Sequence, residues 1–506
     1  MSRPAVPPRA DVVARTLARN RLGVAAVVFF VMSAAAPLTV VAGVVTTGFA
    51  VTGVTGIPLA FLVVGAVLGL FAVGYVAMAR HVANAGAFYA YVARGLGRPL
   101  GVGAAWVALL AYNALQVGLY GAIGAAATPL IERWFGLTLA WWVVALAAWL
   151  LVAVLGLLRV DVNGTVLAVL LLAEIAVIVV FSAADLLNPA GGQLSLDTLA
   201  PANLAAPGVG AILALAVLGF VGFESAVVFS EESKDPRRTV PAATYISVGL
   251  IAGLYAVAAW AMTIAVGPEA IVAVSQEQGP EAVFTLAATH LGPMAADIGH
   301  ALFLTSLVAA MISFHNTTAR YAFALGREHV FPARLGNTSR AGAPKVGSLL
   351  QSLFGLAVIV VYAAAGWDPL VQLFFWGGTG GGYGVLLLIA VTSIAVIGYF
   401  ARHPSGENAW RRLIAPVLAA LALLAVAWLA TANFDTLLGV APDSPVRWII
   451  PGAYLVAAFL GVGWALVLRA RRPQVYARIG MGAKAATAGL TAPGLAAAEA
   501  RQGVWR

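Results

Sequence analysis

Two carboxylates, Glu174 and Glu224, lie deep inside apolar stretches of this chain. A charged side chain at the centre of a bilayer costs about 2.5–3.5 kcal/mol on insertion scales, so such groups face a bundle interior and serve ion or proton pathways. Glu224 directly follows Gly219-Phe220-Val221-Gly222-Phe223, where two glycines interrupt the sixth apolar stretch. The first apolar stretch carries a matching interruption, Ser33-Ala34-Ala35-Ala36-Pro37. Pro37 has no N–H and clashes with the turn before it. Hydrocarbon cannot satisfy main-chain groups freed at mid-membrane, so they must be buried in protein or line a cavity. Interrupted helices at corresponding places of two halves are the best sequence pointer to a secondary transporter's binding site. Small side chains let a ligand approach the main chain, and the amides that open a half-helix favour an anionic group such as a carboxylate. A proline kink accounts for Pro37 taken alone, and a protonated structural acid accounts for either glutamate taken alone. The pairing of the two interruptions favours a site.

Other polar and aromatic residues have packing as their alternative role. Phe220, Phe223, Phe314 and Trp376 stand near the interruptions, with Tyr112, Asn113 and Gln116 in the third stretch. The eighth holds Thr305, Ser306, Ser313, His315, Asn316 and Thr317, whose hydroxyl and amide groups can coordinate an ion or bond across helices. The run Gly377-Gly378-Thr379-Gly380-Gly381-Gly382-Tyr383-Gly384 imitates a phosphate loop, but no Gly-Lys-Ser/Thr follows it. Close helix packing or a flexible gate fits it better.

The elements that position these residues are membrane helices. The 506 residues are 62% hydrophobic and 10% charged, with mean hydropathy +0.95, a composition of polytopic membrane proteins. The chain has no cysteine, which excludes disulfides and thiolate metal sites. The net charge of +9 does not mark a nucleic-acid partner, because the basic residues lie in short loops and tails rather than on one face. Stretches of about 20 apolar residues place twelve spans, near 22–47, 57–79, 101–131, 138–157, 164–187, 208–230, 243–267, 297–325, 346–365, 370–400, 411–433 and 448–469. The N-terminus, every second loop and the C-terminal tail then hold 27 of the 29 basic residues, leaving only Arg133 and Arg447 on the other side. The positive-inside rule puts both termini in the cytoplasm and the protein in the cytoplasmic membrane. The outer segments 188–207 and 268–296 carry no Lys or Arg. The tail from Arg471 onward is rich in Ala, Gly and Arg without an amphipathic stripe, and is expected to be disordered or to lie near the anionic leaflet.

Three stretches at the basic end resemble motifs of the amino acid–polyamine–organocation superfamily of permeases. The first is Ala85-Gly86-Ala87-Phe88-Tyr89-Ala90-Tyr91-Val92-Ala93-Arg94-Gly95-Leu96-Gly97. The second runs from Phe220-Val221-Gly222-Phe223-Glu224 to Glu231-Glu232-Ser233-Lys234-Asp235-Pro236-Arg237-Arg238-Thr239-Val240-Pro241. The third is Arg320 to Pro332, continuing to Ala343-Pro344. The resemblance implies an all-α polytopic fold with a five-plus-five inverted repeat, helices 1 and 6 broken at mid-membrane. That divides the chain into a cytoplasmic N-terminal tail (1–21), a first repeat (22–187), a second repeat (208–400), spans 11 and 12 (411–469) and a C-terminal tail (470–506). It further implies that a substrate carboxylate meets the amides around Ala34, Ala35 and Ala36, and an amino group the carbonyls near Gly219, Phe220 and Val221. Ser33, Gly222 and Phe314 complete the candidate substrate site. In some relatives the acid matching Glu224 couples binding to a gate through its protonation state. Relatives of several kinds carry a lysine in place of Glu174 that stands in for a sodium ion, and many have a Gly-Ser-Gly-type break where this chain has Ala34-Ala35-Ala36-Pro37.

The expected function is an amino acid permease working by alternating access, proton-coupled through Glu224, Glu174 or both, or an exchanger. Its partners are a small amino acid or amine, the lipid bilayer and a proton or other coupling ion, with no cofactor, metal or nucleic acid. A polyamine or organic-amine permease is the alternative within transport, and a non-transporting amino acid sensor the alternative outside it. A membrane enzyme is not expected, since no Cys–His pair, metal-spaced His/Asp cluster or nucleophile elbow stands in the cytoplasmic loops.

Overall fold

The computed structural model describes residues 21–82, 84–157, 160–205, 208–339, 342–403 and 406–482, with the backbone alone for 160–167. The tail segments 1–20 and 483–506, and the loop residues Arg159 and Arg340, lie outside the described residues. Among the described residues, eleven helices are long and apolar enough to cross a membrane: Val24–Thr52, Ile57–Ala79, Arg98–Phe135, Ala168–Leu187, Val209–Ala226, Pro236–Val266, Pro293–Arg327, Lys345–Ala365, Pro369–Arg402, Trp410–Ala432 and Val446–Arg471. The twelfth expected span, at 138–157, appears as the shorter apolar helix Trp141–Leu155. Its 15 residues reach about 22 Å at 1.5 Å each, against a hydrocarbon core of about 30 Å. Counting that helix as the fourth, the helices are numbered in chain order below.

Long apolar side chains such as Leu150, Val154, Trp428 and Phe459 are exposed on the helix exteriors, as a lipid solvent requires. Small residues let the interior helices approach closely. A Cβ on Gly381 would stand 2.4 Å from Leu115 and 2.9 Å from the Ala111 carbonyl oxygen, so the glycine run packs the tenth helix against the third there, and against the twelfth at Gly380 and Gly384. The segment 268–296 contains two short helices, Ile271–Gln278 and Glu281–Leu291.

The first and sixth helices are interrupted. The first runs as Val24–Ala35, turns at Ala36 (φ 46°, ψ 70°), and resumes at Pro37. Proline is suited to that restart, since the first amide of a helix has no intrahelical acceptor to lose. The sixth runs as Val209–Phe220, extends at Val221, turns at Gly222 (φ 116°), and continues as a 3-10 turn over Phe223–Ala226. A left-handed backbone is accessible to glycine without a Cβ penalty. Ser33, Ala34 and Ala35 therefore form the last turn of one half-helix, and Gly219 and Phe220 the last turn of another.

Candidate functional site

Each interruption frees main-chain groups, and most of their partners come from side chains on other helices. Tyr255 of the seventh helix donates its hydroxyl to the Ala35 carbonyl at 3.0 Å. Glu174 of the fifth helix lies beside Leu38, at the start of the resumed first helix, and beside Ser306, and its Oε2 is buried with no hydrogen-bond partner. Ser306 also accepts from Thr39 at 3.1 Å, joining the first helix to the eighth. In the sixth helix the Gly222 amide donates to Glu224 Oε2 at 2.9 Å, while Tyr112 of the third donates to Oε1 at 2.6 Å. Tyr75 donates to the Glu224 main-chain carbonyl at 3.0 Å. The two deep carboxylates thus share one arrangement: each faces an amide exposed by a helix break. The opening amides of a helix carry partial positive charge, so this is where a buried carboxylate is least costly.

The breaks touch each other. A Cβ on Gly222 would fall 2.6 Å from the Ala34 Cβ and 3.0 Å from the Ala35 nitrogen. Beside this contact is a cavity, partly open to the exterior. Ala34, Ala35, Ala36, Val221 and Phe314 line it, together with Thr39, Thr47 and Thr379, several leucines, Phe374 and Phe375. Ser33, Gly219, Phe220 and Gly222 are buried behind this wall; Phe220 packs on Phe61, with ring centroids 6.2 Å apart. Glu174 and Glu224 are likewise buried and off the lining. His315 is placed elsewhere, bonded to Ser348 at 2.7 Å, and the Trp376 indole donates to Leu438. Thr39, Tyr255 and Tyr75 are not marked by the sequence, because nothing local announces a hydroxyl that reaches another helix; Thr379 stands there only as part of the glycine run. Ser306 was visible there only as one of a polar group.

Gly43 and Phe374 are shared with a second cavity, which Arg133, Glu281 and His300 also line. There His300 Nε2 meets Glu281 at 3.0 Å, and Arg133 pairs with Asp297 at 3.2 Å. The second cavity lies on the side of the central one away from the basic end. At the basic end, buried ion pairs close the bundle. Arg320 forks onto Glu232 at 2.8 and 3.0 Å, and Arg327 onto Glu231 with both contacts at 2.7 Å. Arg21 and Leu22, at the start of the first helix, donate main-chain bonds to the Glu232 carbonyl. Glu328 accepts from Asn84 at 3.1 Å, from the Tyr89 hydroxyl, and from the Gly480 and Gly482 amides at 2.6 Å each. Burial pushes the Glu328 carboxyl above its ordinary range, against the lowering pull of these donors and of Arg327. All three motif-bearing stretches meet in this seal.

Comparison with known proteins supports the same reading. The family model described as amino acid permease matches residues 22–467. The chain is 31% identical over 147 residues to a cadaverine/lysine antiporter of Escherichia coli (strain K12), covering 29% of this chain and 32% of that protein. It is 24% identical over 272 residues to cationic amino acid transporter 7, chloroplastic, of Arabidopsis thaliana, covering 52% and 42%. It is 26% identical over 271 residues to a low-affinity putrescine importer of Escherichia coli (strain K12), covering 52% and 57%. The matched regions thus span from about a third to somewhat over half of these relatives. With a family match running from the first helix to the twelfth, two broken helices and a cavity between them, the chain belongs to the amino acid permease family of the amino acid–polyamine–organocation superfamily.

Proposed function

We propose that this protein is a secondary active transporter that moves amino acids across the cytoplasmic membrane by alternating access, coupled to protons through Glu174 and Glu224. The observation that carries this reading is the cavity between the two breaks, with one buried carboxylate on each break. A carboxylate that takes up a proton loses acceptor capacity toward the amide it faces. Proton uptake at Glu224 weakens its hold on Gly222 or Tyr112, and at Glu174 its hold on Leu38. Either event changes the main chain that borders the cavity. A ligand shifts an equilibrium only by its differential affinity for the two states, and the proton acts here as such a ligand.

The ion-paired end is the cytoplasmic end, and the conformation described is the outward-facing one. Support comes from the 27 of 29 basic residues on one side, which put both termini in the cytoplasm. The five-plus-five repeat accounts for breaks in the first helix and the sixth. An organic-amine carrier is the second reading, favoured by the names of the cadaverine and putrescine relatives.

The decisive experiment is pH-driven uptake in proteoliposomes by Glu174→Gln and Glu224→Gln. Both amides preserve shape, so substrate counterflow should persist while the response to a proton gradient falls in at least one. Undiminished gradient-driven uptake in both variants overturns the coupling.

A further inference from the structure

We infer that the central cavity selects amino acids with an uncharged, apolar side chain and rejects cationic ones and diamines. This names the substrate class of the proposed transport site and rests on that reading. The cavity wall is built from Leu115, Leu119, Leu215, Leu218, Phe314 and Phe374, among other apolar groups. The side-chain polar groups on it are the hydroxyls of Thr39, Thr47 and Thr379. No Asp, Glu, Lys, Arg or His is among the described residues that line it.

The nearby acids do not supply a counter-charge. Both oxygens of Glu224 are engaged, one by Tyr112 and one by Gly222, and the residue has no solvent exposure. Glu174 has one unpartnered oxygen, but it is 1% exposed and is not among the residues that line the cavity. Glu281 lines the second cavity and not the central one, with its side chain 57% exposed beside His300.

The ends of an amino acid and its side chain then meet different surroundings. The charged α-groups have the main chain of Ala34, Ala35, Ala36 and Val221 beside them, where two helices are interrupted. The side chain projects among leucine and phenylalanine. A second ammonium placed there is desolvated without a partner, which weakens binding by about 100-fold or more relative to an apolar chain of similar length. Each additional buried methylene should instead strengthen binding by about fourfold until the cavity is filled.

The test is competition binding to the purified full-length protein in lipid nanodiscs, with leucine as reference. The probes are alanine, methionine, phenylalanine, lysine, arginine, cadaverine and putrescine. The expected order places leucine, methionine and phenylalanine well above alanine, with lysine, arginine and both diamines about 100-fold or more weaker than leucine. Lysine or either diamine binding within about tenfold of leucine overturns the selectivity and leaves the transport reading standing. Failure of every probe to bind, together with absent uptake in proteoliposomes, overturns both. A second arm uses Leu119→Glu, which puts a carboxylate on the wall. The ratio of lysine to leucine affinity should rise at least about tenfold, and an unchanged ratio in a variant that still binds leucine contradicts the placement of the substrate side chain.

Discussion

Substituting Gly222 by alanine probes the contact between the two breaks. Two costs add at this position. A residue with a Cβ held at φ 116° is strained by about 1–3 kcal/mol. The new methyl would also stand 2.6 Å from the Ala34 Cβ and 3.0 Å from main-chain atoms of Ala34 and Ala35, and main chain cannot swing aside as a flexible side chain does. Overpacking of that kind costs about 1–3 kcal/mol. The total, about 2–6 kcal/mol, is a large share of a typical folding free energy. Gly253→Ala in the seventh helix is the control, because a Cβ there meets nothing within 4 Å and alanine is the better helix former by up to about 1 kcal/mol. The double change Ala34→Gly with Gly222→Ala removes the closest methyl but not the strain at φ 116°, so it should recover part of the loss. Thermal unfolding of the purified variants in detergent reads all three. If Gly222→Ala melts with Gly253→Ala at or above the wild type, or if Ala34→Gly rescues nothing, the breaks do not meet as described.

Arg320→Lys should destabilise the protein despite keeping the charge. An ammonium cannot reproduce the fork onto Glu232, and the loss of one charge-assisted hydrogen bond there costs about 1.5–3 kcal/mol; a melting temperature equal to the wild type argues against a closed seal. Glu328 gives a pH-dependent test. Its folded-state pKa is raised above the ordinary 4.5, chiefly by burial, so the stability it contributes is full below that value and declines as pH rises through the folded value. Glu328→Gln cannot ionise, so its melting temperature should gain on the wild type over the interval in which pH rises above 4.5. A difference that is constant or shrinks over that interval refutes the assignment.

How much of this was legible beforehand varies by element. Glu174 and Glu224 stood out because a carboxylate is costly in hydrocarbon wherever the helix sits, and that cost is visible in one dimension. The interruptions at Ala36-Pro37 and Val221-Gly222 were legible for a similar reason: proline and glycine act on their own main chain. The helices were placed by apolar length alone, which held for eleven and overstated the fourth, where the apolar run is longer than the helix Trp141–Leu155. The partners were not legible. Nothing near Tyr112 in the chain announces Glu224, 112 residues away, and nothing near Asn84 or Gly482 announces Glu328. The three motif stretches could be recognised separately, but their union in one ion-paired seal depends on how the helices that carry them pack. Whether a residue near a break faces the cavity, as Ala35 and Val221 do, or turns away, as Ser33 and Phe220 do, also depends on that packing. Main-chain geometry and solvent preference are properties of neighbours along the chain and can be read from it. Hydrogen-bond partners and cavity walls are properties of neighbours in space, and only the folded arrangement brings those together.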